Sequence, residues 1–254
     1  MQYKKTNIRV LISEAEMHDL NNTYLDIEKN KNGLAILPVG AIEQHGPHLP
    51  ISVDHFQAEV VSRAVAENMG AFLLPGIAYG NSEAHTGFKG TVSISSDTLK
   101  NIVQDITKNL FAQGFTKVGV LNFHAGNLVL KLALREVNLS SDTGVAVLCQ
   151  PWQDIDEDSK SILDNYGHEQ HAGEFETSVM LHLDPAKVGS NLIDCVPEVE
   201  PTYFDYRYMK HYCPDGVWGK ATLASSKKGR LLFDSMVKAT VKKLHSTFDQ
   251  LENN

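Results

Sequence analysis

The stretch Leu34–Asp54, LAILPVGAIEQHGPHLPISVD, places Glu43, His45, His48 and Asp54 close together just after an apolar run. In an extended segment side chains alternate sides, so Glu43 and His45, two apart, project the same way. A carboxylate and an imidazole on one face, with a further aspartate downstream, make half of a metal site. The other half is offered farther on, by His124 in Asn122-Phe-His-Ala-Gly-Asn127 and by His171, Glu174 and Glu176 in His171-Ala-Gly-Glu-Phe-Glu-Thr-Ser178. Imidazole and carboxylate donors without thiolate suit zinc, manganese or iron, and donor types alone do not choose among them. With this many carboxylates a two-ion site is feasible, Asp54 being the expected bridge. Two such ions activate a water, clamp a carbonyl and stabilise the oxyanion formed on attack. Zinc-bound water reaches a pKa of roughly 7, which makes hydroxide available near neutrality.

Competing catalytic designs have weaker support. No G-x-S-x-G elbow occurs, and neither a P-loop nor a G-x-G-x-x-G is found. The formal charge of −8 disfavours a nucleic-acid partner, which would need a basic excess to meet phosphates. Cys149, Cys195 and Cys213 form no C-x-x-C pair and read as free thiols in a reducing compartment. No run suits a signal peptide or a membrane span, so the expected location is the cytoplasm and no membrane partner is expected.

The elements that must hold these donors follow from periodicity and punctuation. Leu34–Val39 reads as a buried strand, broken by Pro38, Gly40, Gly46, Pro47 and Pro50. Asp54 opens a helix with Val60, Val61, Ala64 and Val65 at helical spacing and Gly70 as its stop. Ala71–Pro75, Lys117–Leu121 and Val145–Leu148 read as further strands. A helix capped at Ser95 and another over Leu128–Leu139 lie between them. Helical pattern is also expected around Ser13–Leu20, over Gly173–Leu183 and over Gly229–Glu252. The acidic run Asp154–Asp158 reads as a solvated face. Residues 189–228 read as a long excursion over the surface or into a subunit contact. Strands alternating with helices imply a mainly parallel sheet, one α/β domain over residues 1–254, and a site at the carboxyl ends of the strands. The loops with Glu43/His45, Tyr79–His85, His124 and Trp152 all follow strands and are expected to gather there.

Gly40-Ala-Ile-Glu-Gln-His-Gly-Pro-His-Leu-Pro with Asp54, the Asn122–Asn127 turn and the His171–Ser178 segment together resemble the creatininase family, over roughly residues 30–185. The resemblance implies a three-layer α/β/α fold, a binuclear metal centre and hydrolysis of a C–N bond in a cyclic amide or formamide. It assigns Glu43, Asp54 and His124 to one ion, and His45 with the shared Asp54 to the other. Creatininase has a glutamate where this chain has Gly126, and Glu176 is the expected substitute, with Glu174 the alternative. His171 matches a substrate-contacting histidine, a proton donor to the leaving nitrogen. Trp152 matches a pocket tryptophan, whereas a second one falls here at Gly167. His85 and Glu174 are further candidates for substrate contact, and His48, His55 and His168 read as bystanders. A homo-oligomer, hexameric in that family, is implied. Two rivals stand beside the small-molecule amidohydrolase: a carbon–carbon hydrolase of ring ketones derived from sugars or cyclitols, and a non-catalytic metal- or metabolite-binding protein.

Overall fold

The computed structural model describes residues 16–30 and 32–252. After a short helix α1 (Tyr24–Ile27), the chain enters β1 (Leu34–Val39), every residue of which is buried. Helix α2 (Val53–Met69) follows and ends on Gly70 in the left-handed conformation. Then come β2 (Phe72–Leu73), α3 (Ser96–Ala112), β3 (Lys117–Asn122), α4 (Leu130–Leu139) and β4 (Val145–Cys149). Ser95 caps α3 as expected, its hydroxyl accepting from the Thr98 amide. The four strands form a parallel sheet in the order β2-β1-β3-β4. Beyond it lie the short helix α5 (Glu157–Lys160), α6 (Glu174–Leu183) and the two-residue strand β5 (Asp194–Cys195). The single turn α7 (Met209–Tyr212), β6 (Gly219–Lys220) and the long α8 (Ser226–Glu252) complete the order.

Alternation along the strands separates two cores. Leu34 and Ile36 face one side, with Leu121, Val147, Val61 of α2, Val179 of α6 and Leu232 and Leu244 of α8. Ala35, Leu37 and Val39 face the other, with Val118, Val120, Leu99 and Val103 of α3 and Leu134 of α4. Helices therefore cover both faces, the arrangement a buried parallel sheet requires. The three-layer α/β/α architecture implied by the motifs is the one observed.

Four expectations need correction. The strand expected over Ala71–Pro75 pairs only at Phe72 and Leu73. Pro38 of β1 has no N–H to give its neighbour, so the ladder lapses. It resumes as a bridge between Val39 and Ile77. The Ser13–Leu20 helix lies partly outside the described residues; within them, 16–20 are not helical, and His18 bridges to Phe72. Asp154 is not merely solvated, since it accepts from the Gln150 amide and pairs with Lys243 of α8 at 2.9 Å. The 189–228 excursion runs over the surface at first, but its later part is packed inward: Met209, Cys213 and Trp218 are buried together, and Trp218 exchanges two backbone hydrogen bonds with His171. Cys149, Cys195 and Cys213 are free thiols.

Candidate metal centre

Three chain segments deliver the donors to one edge of the sheet. The loop after β1 is pinned by its own backbone, Glu43 donating to the Ile51 carbonyl at 2.9 Å and Ile42 bridging to Val92. Helix α2 starts hard against the exit of β1, since a Cβ on Gly40 would stand 2.6 Å from the backbone of His55. That close approach puts Asp54, in the first turn of α2, beside His45. At the end of β3 the Asn122 side chain closes the turn around His124, donating to its carbonyl at 2.8 Å and accepting from its amide at 3.2 Å. The third segment precedes α6. There Ala172 adopts φ 53°, a conformation a non-glycine residue rarely holds, and its amide donates to Glu176 Oε2.

The histidines are oriented by main-chain carbonyls. A carbonyl can only accept, so each contact fixes which ring nitrogen carries hydrogen. His45 Nδ1–H donates to the Glu43 carbonyl at 3.1 Å, His124 Nε2–H to that of Asn81 at 2.8 Å, and His171 Nε2–H to that of Gln44 at 2.7 Å. The remaining nitrogens converge on carboxylates. His45 Nε2 lies 3.1 Å from Asp54 Oδ1 and 3.5 Å from Glu176 Oε1. His124 Nδ1 lies 3.3 Å from Glu43 Oε1 and 3.2 Å from Asp54 Oδ2, and His171 Nδ1 is 3.7 Å from Glu43 Oε1. This is how proteins prepare imidazole for a metal, with one nitrogen anchored behind and one aimed forward.

Electrostatics point the same way. Burial works against charge on His45, but Asp54 and Glu176 outweigh it and hold the imidazole well above its usual range. His124 is likewise raised against burial, chiefly by Glu43 and Asp54. Burial opposes ionisation of Glu176 too, yet the His45 charge brings its carboxyl down to about 2. Glu43 is held well below its ordinary value by His124, His85 and His171, again against burial. Burial pushes His171 and His85 down.

The donors fit divalent metal. Glu43, Asp54 and His124 each offer an atom within 4.8 Å of the others, and so do His45, Asp54 and Glu176, with Asp54 common to both triads. Glu43, His45 and His171 form a third, overlapping set. Glu43 Oε2 is buried with no hydrogen-bond partner, although carboxylate oxygens seldom forgo one. A cation is the partner such an atom lacks.

Other residues singled out in the sequence fall as follows. Trp152 and His85 line the same cavity of about 1160 Å³ as Glu43, Asp54, His124, His171 and Glu176. Glu174 does not reach it: the side chain turns away, accepts from the Asp164 and Asn165 amides and pairs with Lys228. Its place in α6, two positions from Glu176, points it at α8 instead. His48 is buried outside the cavity lining, 2.8 Å from the Thr177 hydroxyl. Missed in the sequence were the supports, Gln44 and Asn81, and Glu169, whose carboxylate accepts from the Glu174 and Phe175 amides. Gly173, at the helix start, has no side chain to serve those amides, and that vacancy was the one available signal for Glu169. The aromatic wall of Phe204, Tyr206 and Tyr208 carried no motif at all.

A family model described as Creatininase: Creatinine amidohydrolase matches residues 18–244. The chain belongs to the creatininase family. The creatinine amidohydrolase of Pseudomonas putida is 32% identical over 231 residues, spanning 84% of this chain and 89% of that enzyme. The mycofactocin precursor peptide peptidase of Mycobacterium ulcerans is 32% identical over 225 residues, spanning 82% and 83%. The crystal structure of creatinine amidohydrolase (creatininase) superposes with a TM-score of 0.79 at 28% identity, covering 93% of this chain and 99% of that one. Creatininase has been solved in a manganese form and, as a mutant, in a Zn-Zn form. This chain is thus a metal-dependent hydrolase of the creatininase type. Among its described residues no helix is long and apolar enough to cross a membrane.

Proposed function

We propose that this creatininase-family hydrolase cleaves the C–N bond of a cyclic amide, a formamide or a related small amide with the help of two divalent ions. The observation that carries the reading is the orientation of His45, His124 and His171, each anchored behind by a carbonyl and aimed at shared carboxylates. Glu43, Asp54 and His124 would hold one ion, and His45, Asp54 and Glu176 the other. Zinc is the first assignment, with manganese or iron compatible with the same donors. Such ions, when bound, lower the pKa of coordinated water and polarise a carbonyl.

The chain's own residues supply the rest. His171 Nε2–H is committed to the Gln44 carbonyl, so Nδ1 is the atom left to exchange protons. His171 lines the cavity, and its Nδ1 would take a proton during attack and return it to the leaving nitrogen. Glu176 has a side chain 21% exposed, against 1% for Glu43 and 3% for Asp54. It is the carboxylate of the three most open to substrate. Trp152 lines the cavity and offers the substrate an apolar face. The cavity exceeds the ~300–1,000 Å³ of ordinary ligand pockets. Substrates larger than a single small ring therefore belong in the screen.

Metal analysis of protein purified without chelators, with Glu43→Gln and His124→Ala beside it, tests this. Both variants are expected to lose bound metal and hydrolysis together. Retention of both properties in both variants would end the proposal. A panel of lactams, formamides, peptides and ring ketones separates amide hydrolysis from carbon–carbon cleavage on the same centre. One tightly held ion with no turnover would favour a binding protein. We also infer a homo-oligomer, hexameric on the family resemblance, supported by Leu132 and Leu139, exposed seven positions apart on α4. A single-chain mass in light scattering would remove that part.

A further inference from the structure

We propose that Gln44 is a positioning residue that locks His85 in its Nε2–H form, so that His85 supplies a hydrogen-bond donor to Glu43 at the metal centre. This rests on the reading of Glu43 as a metal ligand. The lock follows from contacts that leave no choice of atoms. Gln44 Oε1 receives the Gly46 amide at 2.9 Å, and Gln44 Nε2 meets the Gly216 carbonyl at 3.0 Å. An N–H must face an oxygen and a carbonyl must face an N–H, so both neighbours impose the same amide orientation. The second hydrogen of Nε2 then meets His85 Nδ1 at 3.0 Å. Nδ1 accepts, and the ring hydrogen sits on Nε2.

His85 Nε2 lies 3.5 Å from Glu43 Oε1, and both side chains are buried. The other imidazoles near that oxygen, those of His124 and His171, have already given their N–H to main-chain carbonyls and show it a bare nitrogen when neutral. Among the described residues near Glu43, His85 is the one whose neutral imidazole turns an N–H toward it, and it would keep that N–H once a metal takes the place of the proton on His124 Nδ1. A ligating carboxylate is commonly held by such a donor, and its loss weakens metal binding by about 10- to 100-fold. Gln44 also reaches the cluster through its main chain, since its carbonyl receives His171 Nε2–H at 2.7 Å. One residue thereby orients two of the site's imidazoles. Gly216, with φ 79°, is fitted to the same task, because a Cβ there would overlap Gln44 Oε1.

The test uses the full chain. In metal-free protein with labelled histidine, two-bond ¹H–¹⁵N spectra should show His85 with a protonated Nε2 and an unprotonated Nδ1, the signal being assigned by its loss in His85→Gln. Gln44→Met should abolish that fixed pattern. In zinc titrations against a competing chelator, Gln44→Met and His85→Ala should bind about tenfold or more weakly. His85→Gln, whose amide nitrogen can stand near the imidazole Nε2, should recover most of the affinity. A hydrogen on His85 Nδ1 in the parent protein overturns the inference, as does parental zinc affinity in folded His85→Ala. Should Gln44→Met not fold, the two His85 variants carry the test. A parent protein that binds no zinc would sink the metal reading and the Glu43 role with it. A free tautomer with intact zinc binding would sink this inference alone.

Discussion

His45 and His124 hold protons in the metal-free protein because Asp54, Glu176 and Glu43 crowd their forward-facing nitrogens. On the proposed assignment those are the same nitrogens a metal would take. Binding therefore exchanges protons for cations at fixed positions, and affinity must depend on pH. Both imidazoles are raised well above the ordinary value of 6.5, so the competition persists past neutrality and eases only as pH rises through the raised values. Zinc or manganese affinity is expected to climb steadily from pH 6.5 upward. Calorimetry in buffers of different ionisation heat should report on the order of two protons released on filling the site. A flat pH profile, with no proton release, would mean that these nitrogens are not the ligands. The clustering of the candidate donors was legible in the sequence, because motif and spacing mark Glu43, His45, Asp54 and His124. Their carbonyl anchors were not: a main-chain oxygen at Asn81 or Gln44 has no residue-type signature. Glu174 shares its helix turn with Glu176, and the Asp164 and Asn165 amides together with Lys228, which no pattern in the sequence marks, draw it away from the cavity.

At the scale of elements, the strands and most helices were readable because buried runs and helical spacing are local properties. β2 was overread because its length depends on Pro38 in a different strand. The entry to α6 was also opaque. Glu169 reaches forward to the Glu174 and Phe175 amides across a turn that no short pattern describes. That bond does the work of an N-cap for a helix beginning at glycine, and it also fixes the turn that carries His171 and Glu176. Burial pushes the Glu169 carboxyl up to about 8. At pH 7, Glu169→Ala is expected to cost about 1 kcal/mol, the usual worth of a helix cap. In a chain of this size the melting temperature should fall by about 2–4 °C. Zinc affinity should fall with it, since Glu176 loses its fixed approach. Glu169→Gln retains an acceptor and should recover part of both losses. An unchanged melting curve for Glu169→Ala would show that α6 is held by its packing on α8 alone.

Across the whole molecule, the cluster concentrates like charges inside a fold that must remain closed around them. Without metal, closure depends on imidazolium partners, and the sign of each contribution follows from its shift. The raised His45 and His124 stabilise the fold below 6.5, and that contribution disappears as pH climbs through their folded values. The lowered Glu43 and Glu176 contribute above 4.5 and are lost on acidification, Glu176 near pH 2. Metal-free protein should therefore be most stable between these limits and weaken on the alkaline side, where histidine protons leave and carboxylates face one another. Bound metal replaces the departing protons and stabilises only the folded chain, by about 2.7 kcal/mol when its free concentration is 100 times Kd. Thermal melts with and without chelator, taken from pH 6 to 9, should diverge as pH rises. The chelated sample should lose melting temperature and the loaded one hold it. The excursion over residues 189–228 closes on the site through Trp218 and His171, so the divergence should extend to protease protection of that segment. Parallel melting curves at every pH would place the stability of the fold elsewhere and leave the buried carboxylates without their compensating cations.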